Sequence, residues 1–342
     1  MARLAISSLI LLVIVVPVLA QSAVPDYPVQ QLALSGDGTR FGALGYTTNT
    51  SNERAYFVDI LDASTLEILF RVEIGTHQPT QFDLSPDASW LVYNVPYTEV
   101  RAVNTLTGES KLLFPGGVIE VEELEWNPVD GRVAYIVGAD VSVVDVYGNY
   151  DGVAVSDAES PGLVYQVAWS ADGQKLATGT YAFGSDVAYI QIWSQDQLTS
   201  GGGIIKAADT RFSGGGDLLW NPAGSLLAAR QLSSLAIYDT FTETQQTFLT
   251  LPGEVDPVSI TWSPDGTQIA TGYVDVIWMW DVATGSLVDT IPTTGIVDSL
   301  FWTDLGLIHN GRGNGMYLNG ELVKEPVSEI STEVTVTPSA TP

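Results

Sequence analysis

The chain has no cysteine and only two histidines in 342 residues. Without cysteine there is no disulfide framework, so stability has to come from buried apolar surface and strand pairing, and no thiol is there to act as a nucleophile. His77 and His309 stand far apart and belong to no HExxH or paired-His spacing, so a histidine-based zinc centre lacks its ligands. No GxSxG elbow marks a serine hydrolase. Positive charge is scarce as well. Lys and Arg number 13 against 40 Asp and Glu, and the net charge of −27 repels nucleic-acid phosphates and anionic lipid surfaces. We therefore expect no nucleic-acid partner. The glycine runs SGGGI (Ser200 to Ile204), SGGGD (Ser213 to Asp217) and NGRGNGM (Asn310 to Met316) have no helix after them to bind a phosphate, and read as turns.

The apolar run at the N-terminus follows Arg3, extends from Leu4 to Val16, and ends in Pro17 and the small-residue site Val18-Leu19-Ala20. This is the pattern of a secretory signal peptide over residues 1–20. The run is short for a hydrocarbon core of ~30 Å, so cleavage near Gln21 is expected rather than retention as an anchor, with no membrane insertion afterwards. No Cys follows to carry a lipid. Export without cysteine points to a bacterial protein that is secreted or held in the cell envelope, extracellular or periplasmic. At the other end, residues 327–342 are rich in Thr, Ser and Pro and read as a flexible tail.

Between these ends one turn recurs. It reads LSGDG at Leu34, LSPDA at Leu84, WNPVDG at Trp126, WSADG at Trp169, WNPAG at Trp220, WSPDG at Trp262 and WTDLG at Trp302. The anchors are spaced 50, 42, 43, 51, 42 and 40 residues apart, a period of about 45 that suits propeller blades. Two positions before each anchor stands an apolar residue: Leu32, Phe82, Leu124, Val167, Leu218, Ile260 and Leu300. Seven positions after it, six copies are apolar again, at Phe41, Leu91, Val133, Leu176, Leu227 and Ile269. Each unit therefore begins with a strand, a tight polar turn and a second strand.

Further strands follow in each unit, as in VIWMWDVATGSLVDTI (Val276 to Ile291), with DVATGS as the turn. Four antiparallel strands make one blade. The expected fold is all-β: a seven-bladed β-propeller of four-stranded antiparallel blades over residues 30–326, with the anchor side chains packed between blades. The long spacings place insertions in GYTTNTSNERAYF and SQDQLTSGGGIIK, and the last blade is compressed. Residues 21–29, with VPDYPVQ, are a candidate closing strand, although the ring can also be completed from the C-terminal side.

With its endings IWMWD (Ile277 to Asp281) and IQIWS (Ile190 to Ser194), the chain resembles the WD40-repeat family, and its WSPDG turns are similar to those of the Tol-associated periplasmic propeller (TolB). The WD40 hydrogen-bonded network of His, Asp, Ser or Thr, and Trp is approached only by Gly75-Thr76-His77 and by Asp140 and Asp275. The resemblance implies a rigid platform for protein partners, usually without catalysis, and brings no ligand residues with it.

No cofactor and no metal is expected. DVYGNYDG (Asp145 to Gly152) fails the EF-hand register, and Glu120, Glu122, Glu123 and Glu125 read as one solvated or channel-facing strand edge. The leading expectation is a monomeric, non-enzymatic platform for a protein or other macromolecular ligand. The loops expected on its docking face carry Tyr46, His77, Tyr97, Tyr181, Phe183, Arg211, Tyr273 and Arg312, of which the aromatics could equally be blade packing. Two rivals stand beside it. One is a metal-binding or hydrolytic propeller using Asp83, Glu123 or Glu125, Asp217 and Asp298 near the channel; the other is a sensor or adhesion module of a longer envelope protein.

Overall fold

The recurring turn is held by a repeated set of hydrogen bonds. In its first copy Ser35 Oγ donates to Asp37 Oδ1 at 2.7 Å, Asp37 Oδ1 accepts Thr39 N at 2.9 Å, and Ser35 Oγ accepts Arg40 N at 3.0 Å. The same bonds recur around Ser85 and Asp87, Ser170 and Asp172, and Ser263 and Asp265. Asn221 substitutes for the serine, its Oδ1 accepting Ser225 N and Leu226 N. Short oxygen-bearing side chains are what such turns require, because they satisfy main-chain donors that a strand would otherwise pair. The Ser hydroxyl and then a main-chain N–H hold the carboxyls of Asp172 and Asp265 below the usual range.

The fourth turn residue is left-handed, with φ between 66° and 71° at Gly38, Gly173, Gly224 and Gly266. Ala88 stands at the same place with φ of 54°. Relief of that strain in Ala88→Gly would gain about 1 kcal/mol, but the buried Ala88 methyl is worth about 0.8 kcal/mol. The two nearly cancel, and chemical denaturation of Ala88→Gly is expected within about 0.5 kcal/mol of the parent. A gain well above that would mean the methyl is not a packing contact.

The structure, a computed structural model, describes residues 15–17, 24–95, 99–114, 121–138, 140–147, 153–155, 162–182, 188–194, 203–207, 218–231, 234–252, 257–311 and 315–323. Among the described residues it is all-β, with four four-stranded antiparallel sheets, one of five strands and one of seven. Sheet I holds Gln31–Leu34, Arg40–Thr48, Arg54–Asp62 and Ile68–Gly75; sheet II holds Phe82–Leu84, Trp90–Val95, Glu99–Asn104 and Ser110–Phe114. Sheets III, IV and V begin at Val121–Trp126, Gly162–Trp169 and Leu218–Trp220. The seven-stranded sheet starts at Ser259–Trp262 and turns on its long strand Ser286–Thr303. Up to Ile296 that strand pairs with Val274–Asp281, and from Val297 it pairs with Gly306–Gly311. We number the two halves VI and VII.

The register follows the sequence period. Each of the first six anchors faces the residue seven positions on: Leu34 with Phe41, Leu84 with Leu91, Trp126 with Val133, Trp169 with Leu176, Trp220 with Leu227 and Trp262 with Ile269. In the compressed last unit Trp302 faces Leu307. The six second-strand partners are completely buried, at ~1.5 to 3 kcal/mol for each large side chain. The cores lie between sheets. Separate apolar clusters join I to II, II to III, III to IV, IV to V, V to VI and VI to VII, and one more joins VII to I through Ile308, Met316, Leu32 and Phe41.

The first insertion lengthens a hairpin, with Arg40–Thr48 and Arg54–Asp62 paired along their whole length. The residues of the second, from 195 to 202, lie outside those described. Val24 to Gln30 enters no strand, and the four strands of sheet VII come from Ser286–Thr303, Gly306–Gly311, Gly315–Leu318 and Glu321–Leu322. Val24 and Val29 are buried instead in the cluster between sheets VII and I. Tyr27 packs edge-on against Phe57, with ring centroids 4.9 Å apart, in the space where a side chain on Gly45 would stand. Val15–Pro17, inside the apolar N-terminal run, pairs with Ile68–Gly75 as the fifth strand of sheet I.

Candidate functional site

The inner strands alternate. Residues two before each anchor fill the cores, so those one and three before it face the other way. Gln31, Gln81, Glu123, Ser259 and Ser299, all three before their anchors, line a cavity of about 810 Å³ together with Arg230 and Asp298. Its rim carries Gln30, Gln78, Pro79, Thr80 and Val258, from segments leading into inner strands. A second space of about 350 Å³ lies toward the anchor turns, lined by Asp83, Trp126, Pro128, Trp169, Trp220 and Phe301 among others. Leu32, Glu125 and Phe301 border both, so the two spaces adjoin, and we refer to them together as the passage.

Inner-strand side chains tie sheet II to III, III to IV, VI to VII and VII to I. Asp83 Oδ2 accepts Trp126 N at 2.7 Å, Glu125 Oε2 accepts Trp169 N at 3.0 Å, Glu123 Oε2 accepts Val167 N at 3.1 Å, Thr261 Oγ1 accepts Trp302 N at 3.3 Å, and Ser299 Oγ accepts Leu32 N at 3.1 Å. Burial pushes the Asp83 carboxyl up to about 7, against the lowering effect of the main-chain donors. Glu125 is raised well above the carboxylate range by burial first, then by the negative charges of Asp83 and Glu123. A register shift between Val121 and Leu124 lets both residues join the core. Glu123 is buried and Glu125 half-buried beside them at the channel.

A second set of links comes from the second strands. Asn94 Nδ2 donates to Val121 O at 2.9 Å, Asn310 Nδ2 to Gln30 O at 3.0 Å, and Arg230 Nη1 to Pro257 O, each reaching the segment that enters the next sheet. Asn94 and Asn310 also accept from their own inner strands, at Gln81 N and Ser299 N. Sequence reasoning missed these three residues. Their only signal was a polar side chain at the end of a second strand, where the pattern calls for a loop.

Of the residues expected on the docking face, Tyr46 is half-buried against the cluster between sheets I and II, with the Arg54 guanidinium 4.3 Å from its ring centre. Tyr273 stacks on Trp278 at 6.0 Å. His77 is exposed and precedes Gln78 on the cavity rim. None of these three lines the cavity. Tyr181 stands in Lys175–Ala182 with its side chain undescribed, and Tyr97, Phe183, Arg211 and Arg312 lie outside the described residues, as do Glu120 and Asp217.

Among the acids of the rival reading, Asp83, Glu123, Glu125 and Asp298 do line the passage. The bonds above put the first three to work between sheets. Among the described residues no three acidic or histidine side chains stand close enough together to hold a metal ion, and no helix is long and apolar enough to cross a membrane. Part of the WD40-type network is present: Trp193 Nε1 donates to Thr178 Oγ1 at 2.9 Å and Trp280 Nε1 to Thr271 Oγ1 at 3.1 Å. Asp275 Oδ1 instead accepts Gly295 N at 2.6 Å.

Compared with known families, residues 245–275 match the model described as WD domain, G-beta repeat. The matched segment runs from the outer strand of sheet V, across the WSPDG turn, into the third strand of sheet VI. The repeated antiparallel sheets of the chain are consistent with a WD40-type family.

Proposed function

We propose that the chain is a seven-bladed β-propeller, closed by the cluster between sheets VII and I, that serves as an exported, non-enzymatic platform for a protein partner. The matched repeat supports the platform reading, since WD40 repeats typically mediate protein–protein interactions. The observation that carries it is the cavity of about 810 Å³, lined by polar and apolar side chains alike and opening where the segments entering the inner strands meet. Its size falls in the range of ligand sites, and its fixed hydrogen-bonding groups suit a partner's projecting loop. The acidic surface favours fast capture of a basic partner at low salt. Signal-peptide cleavage near Gln21 would leave Tyr27 and Val29 in place as the start of the mature propeller.

A photoreactive side chain at Gln78, on the rim, is expected to cross-link a partner from the exported fraction at least tenfold more than one at Phe241, on an exposed turn of sheet V away from the cavity. Equal yields at both positions would remove the wide mouth as the docking face.

A further inference from the structure

Toward the anchor turns the passage is walled mainly by aromatic and other apolar side chains. Trp126, Trp169, Trp220 and Phe301 wall the space of about 350 Å³, and Asp83 and Glu125 line it too, the Asp83 oxygens accepting Leu84 N and Trp126 N. Trp169 is 4% exposed and its Nε1–H has no acceptor. The corresponding indoles are satisfied, with Trp220 Nε1 donating to Ala168 O at 2.9 Å and Trp262 Nε1 to Leu219 O at 3.1 Å. By that pattern Trp169 should meet the main chain of Glu125, but the Glu125 carboxylate takes the Trp169 main-chain N–H and the indole is left over. Two of these rings already hold a cation, with Arg132 4.8 Å from the centre of Trp169 and Lys175 Nζ 5.6 Å from that of Trp220.

We propose that this aromatic and acidic end of the channel binds the ammonium or guanidinium head of a lysine or arginine side chain on a partner, and that an acceptor beside that head takes the Trp169 Nε1–H. Aromatic faces attract a cation, and carboxylates that repel each other in a confined space are both relieved by one. The aliphatic stem of such a side chain suits the apolar wall formed by Leu34, Leu84 and Pro128. The raised carboxyls add a consequence: cation entry ionises a group that is otherwise protonated near neutral pH, and a proton leaves.

The probes are n-butylguanidinium and n-butylammonium, with n-butanol as the uncharged control, read by the indole N–H resonance of Trp169 assigned through Trp169→Phe. Both cations are expected to shift that signal saturably, and calorimetry in two buffers is expected to show proton release. In the double variant Asp83→Asn/Glu125→Gln, whose amide oxygens still accept Trp126 N and Trp169 N, affinity should fall at least tenfold, as for loss of a hydrogen bond to a charged group. An equal response to butanol, an undiminished response in the double variant, or no response to either cation in the parent protein overturns the proposal. Should the double variant not fold, the charged-versus-uncharged comparison and the proton count on the parent protein decide. None of these readouts involves the wide mouth, so failure here leaves the platform reading untouched.

Discussion

Asp83→Asn is expected to gain stability relative to the parent protein as the pH rises from 4 to 8. Asp83 is protonated in the folded chain up to about 7 but ionises near 3.8 when unfolded. The folded state therefore holds the extra proton between those values, and the parent loses stability as pH climbs through that window. A displacement of about three units corresponds to roughly 4 kcal/mol in a dry site. Asp83 keeps some surface toward the channel, where water relieves part of the penalty, so a difference on the order of 2 to 4 kcal/mol between pH 4 and pH 8 is expected. Glu125, also raised, adds in the same direction.

His309 works against them. It is completely buried and stacked on Tyr317 at 5.0 Å; burial depresses it from 6.5 to about 4, so stability is lost as pH falls through that range. Its contribution, on the order of 3 kcal/mol, partly masks the carboxyls in the parent profile. The difference between variant and parent, from denaturant titrations across pH, removes the His309 contribution and leaves Asp83 together with its coupling to Glu125. A difference that stays flat from pH 4 to 8 would show that Asp83 titrates like a solvated carboxyl.

Arg71→Ala should be the most damaging of the simple truncations. Asp59 lies on the third strand of sheet I with no exposed surface, and Arg71 Nε and Nη2 hold both its oxygens at 2.7 and 2.8 Å. The same guanidinium lies 3.5 Å from the centre of the Phe57 ring and 5.7 Å from that of Tyr27, so it also seats the N-terminal segment. Removing it leaves a buried carboxylate uncompensated, at a cost of about 3 to 5 kcal/mol. Arg71→Lys keeps the charge but loses the planar fork, and should fall between parent and Ala. The double variant Asp59→Asn/Arg71→Ala should recover much of the loss, because the charge that needs a partner is gone. Urea unfolding midpoints at constant slope measure each step, and a loss below about 1 kcal/mol in Arg71→Ala would mean that water reaches Asp59.

The strand pairs and their turns could be read from the chain because they are local. A Ser or Asn, an Asp two or three residues on, and a residue able to take positive φ close a hairpin with bonds that span five residues. The alternation around it decides which side chains of a strand share a face. That is why the apolar residues two before all seven anchors and seven after six of them proved to be core; of the four glutamates expected on one solvated or channel-facing edge, Glu123 and Glu125 border the cavity, where a register shift places them. Which groups meet across that channel was not legible.

Asp83 and Trp126 are 43 residues apart, and Glu125 and Trp169 are 44 apart. Their meeting depends on the angle at which one sheet rests on the next, which the packing of whole cores sets. The same holds for Asn94, Arg230 and Asn310, whose roles became visible only once their sheets stood beside the strands they bridge. Tyr46 and Tyr273 illustrate the converse. As aromatics near strand ends they suited both docking and packing, and only their neighbours Tyr56 and Trp278, within 5.8 and 6.0 Å, gave them a place in the fold. Sequence by itself determined the repeat, the turn and the parity of each strand, since these rest on contacts within one unit. Tertiary structure decided which carboxyls stand near one another, because burial and mutual repulsion arise only when side chains of separate units pack together.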